Sequence, residues 1–319
     1  MKNHREGSKI EYSVKKEAQK FGIGSVLVAL SGGADSVATA YALQKIGLRV
    51  IALHCNFHLR GDESDRDAAF VESFCKENGI ELILRDFDIP GYLSSHKGES
   101  VEMACRKLRY EWFGQMLEET GYDKIATGHN ADDNIETFFL NILRGSGTRG
   151  LRGMGKDTGK IWRPLLNIHR AEILEYLSEN NLGYVTDSTN LQSDFRRNYL
   201  RNRIIPLLRK EWNGFDKTLD KTLQNIYAEN LVVEDALLKA LPDGNKALPV
   251  VTILNFPAPL LLIKRFIDKA GPFVPTPEEI LDSIYANKPH IRKWRLKKGT
   301  VILRNGKLSV EMSHGESGS

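Results

Sequence analysis

Between the apolar, β-rich run Ser25–Leu30 and a helical segment, Ala34–Ile46, lies Ser31-Gly32-Gly33-Ala34-Asp35-Ser36. No other stretch constrains the chain as strongly. A strand that passes into a helix through paired glycines opens a βαβ unit. The glycines let the backbone turn tightly and aim successive N–H groups at one point. The helix dipole and the two serine hydroxyls then favour an anion there. Asp35 inside the same loop would repel a phosphate unless a divalent cation lay between them, so the loop implies Mg2+. The Gly-Lys-Ser/Thr ending of a Walker A loop is missing, which turns the reading away from γ-phosphate transfer.

The alternation continues downstream. Arg49–His54 reads as a strand, Ser64–Glu77 as a helix stopped by Asn78-Gly79, and Glu81–Arg85 as a third strand. Glu99–Glu119 is a long helix, Asp123–Thr127 a fourth strand and Ala131–Leu143 another helix. This spacing predicts an α/β fold: a doubly wound, mostly parallel sheet with helices on both faces. Ligands of such sheets bind beyond the carboxyl ends of the strands. Arg144–Lys160 is Gly-rich without apolar period and reads as a mobile loop over the site. Trp162–Leu166 reads as a last strand, followed by a helix from about His169 to Asn181.

Near Trp212-Asn213-Gly214 the character changes, dividing 1–212 from 213–319. The second part reads as a smaller, mainly helical domain, with helices over about Phe215–Leu241, Pro257–Ala270 and Thr276–Ala286. It ends in a hairpin, Thr300–Arg304 with Lys307–Glu311, around the strong turn signal Asn305-Gly306. The tail Ser313–Ser319 is polar and reads as disordered. A length of 319 residues fits two domains. No stretch reaches the length of a membrane span, and the first twenty or so residues lack the apolar middle of a secretory signal. The three cysteines, Cys55, Cys75 and Cys105, form no C-x-x-C pair. A cytoplasmic protein is the expectation. The net charge of +4 permits a nucleic-acid partner without requiring one.

Further polar groups gather where strands end. His54-Cys55-Asn56-Phe57-His58-Leu59-Arg60 leaves the second strand, and Arg106 and Arg109 share one face of the long helix, placed to clamp phosphates of ATP or RNA. Gly128-His129-Asn130-Ala131-Asp132-Asp133-Asn134-Ile135-Glu136-Thr137 follows the fourth strand. Asp133 and Glu136 lie three apart, so both carboxylates can converge on one cation, Mg2+ or an ammonium.

The hexapeptide Ser31–Ser36 resembles the signature of the PP-loop ATP pyrophosphatases, with their adenine nucleotide α-hydrolase-like fold. Within that class the chain resembles the tRNA(Ile)-lysidine synthetases. The matching segments are His54–Arg60, with Cys55 where the family usually has Val; Glu102–Tyr110; Gly128–Thr137; Arg144–Leu151; Arg163–Leu166; Asp187–Asn190; and Arg197–Pro206. In the last of these Tyr199 replaces the family's middle arginine, and Arg197 and Arg201 keep the pattern. The resemblance spans roughly residues 24–210; the C-terminal third matches only in outline.

The resemblance implies an enzyme that uses ATP to adenylylate the carbon 2 oxygen of the wobble cytidine in a CAU anticodon. The amine of free lysine then displaces AMP. It implies that Ser31, Gly32, Gly33, Ala34, Asp35 and Ser36, with His54, Asn56, Arg106, Arg109 and Gly128, hold the nucleotide. Asp35 and Asp133 would hold Mg2+ and Glu136 the lysine amine, with His129 a further candidate catalytic residue. Arg197, Arg201 and Arg203, and Arg292, Lys293 and Arg295 in the basic stretch Ser283–Val310, would contact tRNA. A homodimer is one assembly open to such a chain. Two other readings stay in view. A tRNA thiolase of the same class would need reactive cysteines, often paired. A non-catalytic nucleotide- or RNA-binding protein would have little use for carboxylates facing phosphate.

Overall fold

The computed structural model describes residues 8–186, 195–242, 247–268, 276–286, 291–296 and 299–312. The chain divides into two compact units, Met1–Gln224 and Asn225–Ser319. That division falls later than the compositional change at Trp212–Gly214, inside a single long helix.

The first unit opens with α1 (Lys9–Phe21), capped by Ser8 and Glu11 and closed by Gly22 in the left-handed conformation. The parallel sheet is built from β1 (Ser25–Ala29), β2 (Arg49–Asn56), β3 (Glu81–Asp86), β4 (Lys124–Ala126) and β5 (Ile161–Trp162), in the order β3-β2-β1-β4-β5. The crossovers are α2 (Ala34–Lys45), α3 (Asp62–Asn78), α5 (Val101–Thr120) and α6 (Ala131–Leu143). The two faces of the sheet carry separate cores. Val26 and Val28 of β1 point into one with α1, α2 and α8 (Arg170–Glu179), and Leu27 points into the other with Trp112 and Phe113 of α5. That alternation along one strand is what a sheet covered on both sides requires. Helix α2 is buried nearly all round, and its small residues (Ala34, Ala38, Ala40, Ala42) let it sit tightly packed.

The expected strands and helices of this unit are present, with differences that have physical causes. The long helix starts at Val101 because Gly98 adopts φ +91° and Ser100 caps the new start. A short helix unforeseen in the sequence, α4 (Ile89–Ser95), precedes it, held by Asp88 accepting from the Gly91 N–H at 2.9 Å. The last strand stops at Trp162; Leu165 and Leu166 are buried in a turn instead. The stretch Arg144–Lys160 contains a short helix, α7 (Thr148–Leu151). It is tied to α6: Asn141 Nδ2 donates to the Gly150 carbonyl at 2.8 Å, and the Met154 N–H donates to Asn134 Oδ1 at 2.7 Å.

After residue 194 the chain runs through α9 (Phe195–Tyr199), a π-helical turn (Leu200–Ile204), α10 (Ile205–Glu211) and α11 (Phe215–Ala240). Pro206 lacks the N–H that would close an α-helical bond, in keeping with the wider turn just before it. The second unit packs α12 (Val250–Asn255), α13 (Pro259–Ile267) and α14 (Pro277–Tyr285) against one face of an antiparallel sheet. The sheet contains β6 (Leu248–Pro249), β7 (Arg292–Leu296), β8 (Gly299–Arg304) and β9 (Lys307–Met312), in the order β6-β9-β8-β7. The expected hairpin is β8–β9, turning through Asn305 (φ +50°) and Gly306 (φ +68°). β6 and β7 were not foreseen. Asp187–Asn190, Lys288, Lys297, Lys298 and Ser313–Ser319 lie outside the described residues. Among the described residues no helix is long and apolar enough to cross a membrane.

Candidate active site

The predicted nucleotide loop sits at the carboxyl end of β1, flanked by the ends of β2 and β4. Gly32 takes φ +87°, a conformation that favours glycine. Ser36 Oγ accepts the Ser31 N–H at 3.1 Å and donates to the Gly33 carbonyl at 2.9 Å, closing the loop on itself. The Gly32 carbonyl accepts from the Val185 N–H at 2.9 Å, so a later segment braces the loop from outside. Gly128 makes the approach of β4 possible. A Cβ there would lie 2.8 Å from the Asp35 carbonyl carbon and 2.9 Å from the Ser36 nitrogen, both backbone atoms at the start of α2.

This approach brings the acids together. Asn130 caps α6 by accepting the Asp133 N–H at 3.0 Å, and its side-chain amide donates to Asp35 Oδ1 at 3.1 Å. Asp35 Oδ2 is paired with Arg170. Burial raises the Asp35 pKa; Arg170 opposes the rise, and the nearby Asp133 charge adds to it. Glu136 is only 1% exposed. It accepts from Arg197 Nε at 2.6 Å and from Arg201 Nε at 2.5 Å, and both arginines also reach Asp133 Oδ1, at 3.1 and 3.3 Å. The sequence reading placed Arg197 and Arg201 on tRNA. The structure turns them onto the acids, because residues four apart share a helix face and a buried carboxylate requires cations. Arg203 is exposed.

Burial disfavours the charged form of both His54 and His129. His54, buried, donates from Nδ1 to the Leu30 carbonyl at 2.8 Å, and burial lowers its pKa. Asn56, also buried, accepts the His58 N–H at 3.1 Å. His129 Nδ1 lies 2.8 Å from Thr127 Oγ1; burial, then Arg163, Arg197 and Arg106, lower its pKa to about 4. Arg106 and Arg109 do not form one clamp. Arg106 lies over the Tyr110 ring at 4.9 Å, and Arg109 over Phe57 at 5.2 Å, beside the Cys55 thiol. Burial pushes Cys55 up to about 12 and Cys75 up to about 11, and raises Cys105 too. All three are free thiols.

Asn130, Arg163 and Arg170 were not among the predicted site residues, although Asn130 stands in Gly128–Thr137 and Arg163 in Arg163–Leu166, two segments of the family resemblance. Asn130 also carried a local signal, a capping residue three before Asp133; Arg170 had none. Asp132, given no role from the sequence, accepts from Arg209 Nη2 at 2.6 Å and from the Arg170 N–H at 2.8 Å, with His169 Nδ1 at 3.5 Å. His169 Nε2 faces Asp220 at 3.3 Å, and Arg209 Nε also donates to Asp216. The Asp132 and Asp220 carboxylates on either side of the ring push the His169 pKa up to about 10. The cluster ties α6, α8, α10 and α11 around the acids.

A family model described as a PP-loop domain matches residues 7–208. The chain belongs to the PP-loop domain family. Its curated relatives include proteins named tRNA(Ile)-lysidine synthase. The Porphyromonas gingivalis W83 protein is 49% identical over 202 residues, covering 63% of this chain and 44% of the relative. The Bacteroides thetaiotaomicron protein is 38% identical over 288 residues, covering 87% of this chain and 66% of the relative. The Chlorobaculum tepidum protein is 42% identical over 206 residues, covering 63% and 61%. The matches thus span from under half to about two thirds of these relatives' lengths. Among solved structures, a U34-tRNA thiolase, NcsA from Methanococcus maripaludis with its 4Fe–4S cluster, superposes with a TM-score of 0.58 at 22% identity, covering 69% of this chain and 79% of that one. That likeness shows the shared fold.

Two outcomes follow for this PP-loop chain. Gly128→Ala forces the α2 start and the β4 end apart; thermal melting should show a loss of about 1–3 kcal/mol, with nucleotide affinity falling as well. A Gly128→Ala variant with parental stability would show that the approach is slack. The second concerns pH. The folded His169 pKa of about 10 exceeds its ordinary 6.5, so its contribution is fully present below pH 6.5 and is lost as pH rises through about 10. His169→Gln should therefore cost about 2 kcal/mol near pH 6, and the deficit should shrink toward pH 10. Denaturant titrations across that range would read it, and a deficit that grows with pH would contradict the pairing.

Proposed function

We propose that this chain ligates free lysine to carbon 2 of the wobble cytidine of an isoleucine tRNA with a CAU anticodon. ATP is converted to AMP and pyrophosphate, and the tRNA is adenylylated on the way. The observation that carries this reading is the meeting of Asp35, Asp133 and Glu136 at the mouth of an anion-type loop. Phosphate needs the loop, and an incoming ammonium needs the acids. The relatives' shared name supports the same substrate class.

The chemistry sets the roles. The carbon 2 oxygen is a poor leaving group until it carries a phosphoryl group, so it is activated first and displaced second. The loop Ser31–Ser36 holds the pyrophosphate portion and leaves the α-phosphorus open. Asp35 and Asp133 fit Mg2+. Among the described residues no group of three His, Cys, Asp or Glu side chains forms a closed metal site, and an ion held by one or two carboxylates plus phosphates is the usual Mg2+ arrangement. That ion would supply charge neutralisation on the phosphates. Glu136 orients the lysine amine, taking it in exchange for part of its arginine contacts. His129, uncharged at neutral pH, lies close enough to the cations to present an acceptor rather than a further positive charge. The thiolase alternative loses ground, because buried thiols with raised pKa values are poor nucleophiles and poor sulfur carriers.

The second unit offers the RNA surface. Strand alternation separates the expected RNA-facing residues. Arg292 turns inward, donating to Ser283 Oγ at 2.8 Å, and Trp294 packs against the core. Lys293 and Arg295 project from the other face, which they share by register with Arg304 and Lys307. All four are exposed. Such a face suits phosphates of the backbone rather than base edges.

Incubation with tRNA, ATP, Mg2+ and isotopically labelled lysine, followed by mass spectrometry of the nucleosides, tests the reaction. Label in a modified cytidine and AMP as co-product are expected, with Asp35→Ala reducing turnover by about 10³-fold. ADP as the product would overturn the assignment. Glu136→Gln should depress the lysine step more than adenylylation; equal losses would give Glu136 a metal-binding or structural role. Replacing Lys293, Arg295, Arg304 and Lys307 by alanine should raise the KM for tRNA alone. It should also flatten the salt dependence of binding, by roughly 0.7–0.9 in log–log slope for each phosphate no longer neutralised. Arg292→Ala should leave that slope unchanged.

A further inference from the structure

We infer that Arg170 is a catalytic residue that grips the departing pyrophosphate. The inference rests on the reading that ATP is cleaved to AMP and pyrophosphate. Arg170 belongs to none of the segments that carry the family resemblance. Three features single it out.

Its position comes first. Arg170 opens α8, and its backbone N–H is fixed by Asp132 Oδ2 at 2.8 Å, while Asp132 itself is held by Arg209. The root of the side chain is therefore anchored beside the loop. Its present partner comes next. The guanidinium is paired with Asp35, the carboxylate within the loop itself. The cation thus stands within a side chain's length of any anion the loop holds. Its freedom is the third feature. The three side chains are similarly exposed (Arg170 46%, Arg201 41%, Arg197 36%), but Arg197 and Arg201 are bound to the buried Glu136, whereas Arg170 is bound to Asp35, itself 26% exposed. Withdrawing either of those would leave a carboxylate that is 1% exposed short of a cation. Arg170 leaves only Asp35, which Asn130 also holds.

The reaction supplies the reason to move. As the substrate oxygen bonds to the α-phosphorus, the bond from that phosphorus to the bridging oxygen breaks. The electron pair stays on the leaving pyrophosphate, which gains one negative charge. Arg170 is paired with Asp35 in this structure. A divalent cation on the phosphates would be held by Asp35 in place of Arg170, and the guanidinium would then lie within reach of phosphate oxygens on the same loop. A planar fork with two parallel donors suits that geometry better than an ammonium does.

The test measures binding as well as turnover. Calorimetry with magnesium pyrophosphate on the full chain should show Arg170→Gln binding at least about 10-fold more weakly than the parent, with Arg170→Lys recovering only part of the loss. Pyrophosphate should inhibit Arg170→Gln correspondingly less, and its kcat for AMP formation should fall by about 10²-fold with the KM for lysine unchanged. Thermal melting of both variants identifies any loss caused by unfolding, and Arg170→Lys carries the comparison if Arg170→Gln is unstable. Parental pyrophosphate affinity in a folded Arg170→Gln overturns the inference and leaves the proposed reaction standing. A parent chain that binds neither magnesium pyrophosphate nor ATP overturns both.

Discussion

Glu136 is a carboxylate with almost no access to water. A charge so far from water needs cations in direct contact, and Arg197 and Arg201 provide them. Much of the site's architecture follows from this need. The two arginines must come from one helical face, so the chain after residue 194 is drawn against α6. Asp133, one helical turn from Glu136, shares the same guanidinium groups. The π-helical turn falls in the segment that includes Arg201, and π-bulges commonly mark sites where side-chain direction matters more than helix regularity.

The parallel sheet and its crossovers were legible because each rests on a local signal. Apolar β-rich runs alternate with helical stretches, the first strand ends in a glycine turn, and the helix Asp62–Asn78 stops at Gly79 in the left-handed conformation. The misses share a cause. α4 carries Pro90 and Gly91 in a short stretch, which reads as a turn until Asp88 caps it. β7 alternates basic residues with Trp294 and looks like a charged surface run; its strand character comes from pairing with β8, a non-local fact. β5 is shorter than its apolar run because burial in a turn satisfies Leu165 and Leu166 equally well.

The candidate site was legible in its anions and obscure in its cations. Asp35, Asp133 and Glu136 stand in motifs with helical or loop spacing, so their convergence could be argued from the chain alone. The arginines that face them come from distant points, thirty or more residues beyond the acids they meet. No periodicity links Arg170 to Asp35 or Arg201 to Glu136. Arg109 illustrates the converse: helical spacing put it on one face with Arg106, but packing against Phe57 decided where its guanidinium went. Spacing fixes which residues share a face, and tertiary packing fixes what that face meets.

The acids of the site are each paired with cations. Asp35 is opposed by Arg170, Asp133 and Glu136 by Arg197 and Arg201, and Asp132 by Arg209 and a protonated His169. A nucleoside triphosphate arriving without a cation would meet the Asp35 and Asp133 carboxylates with their arginines already engaged. With a divalent cation, as in the proposed reaction, it would bring positive charge for the acids and negative charge for the arginines at once, so that each partner given up would be replaced by another. The arrangement also separates the two kinds of arginine. Arg197 and Arg201 answer a carboxylate with almost no access to water, whereas Arg170, at the start of α8, answers a loop carboxylate that Asn130 also holds.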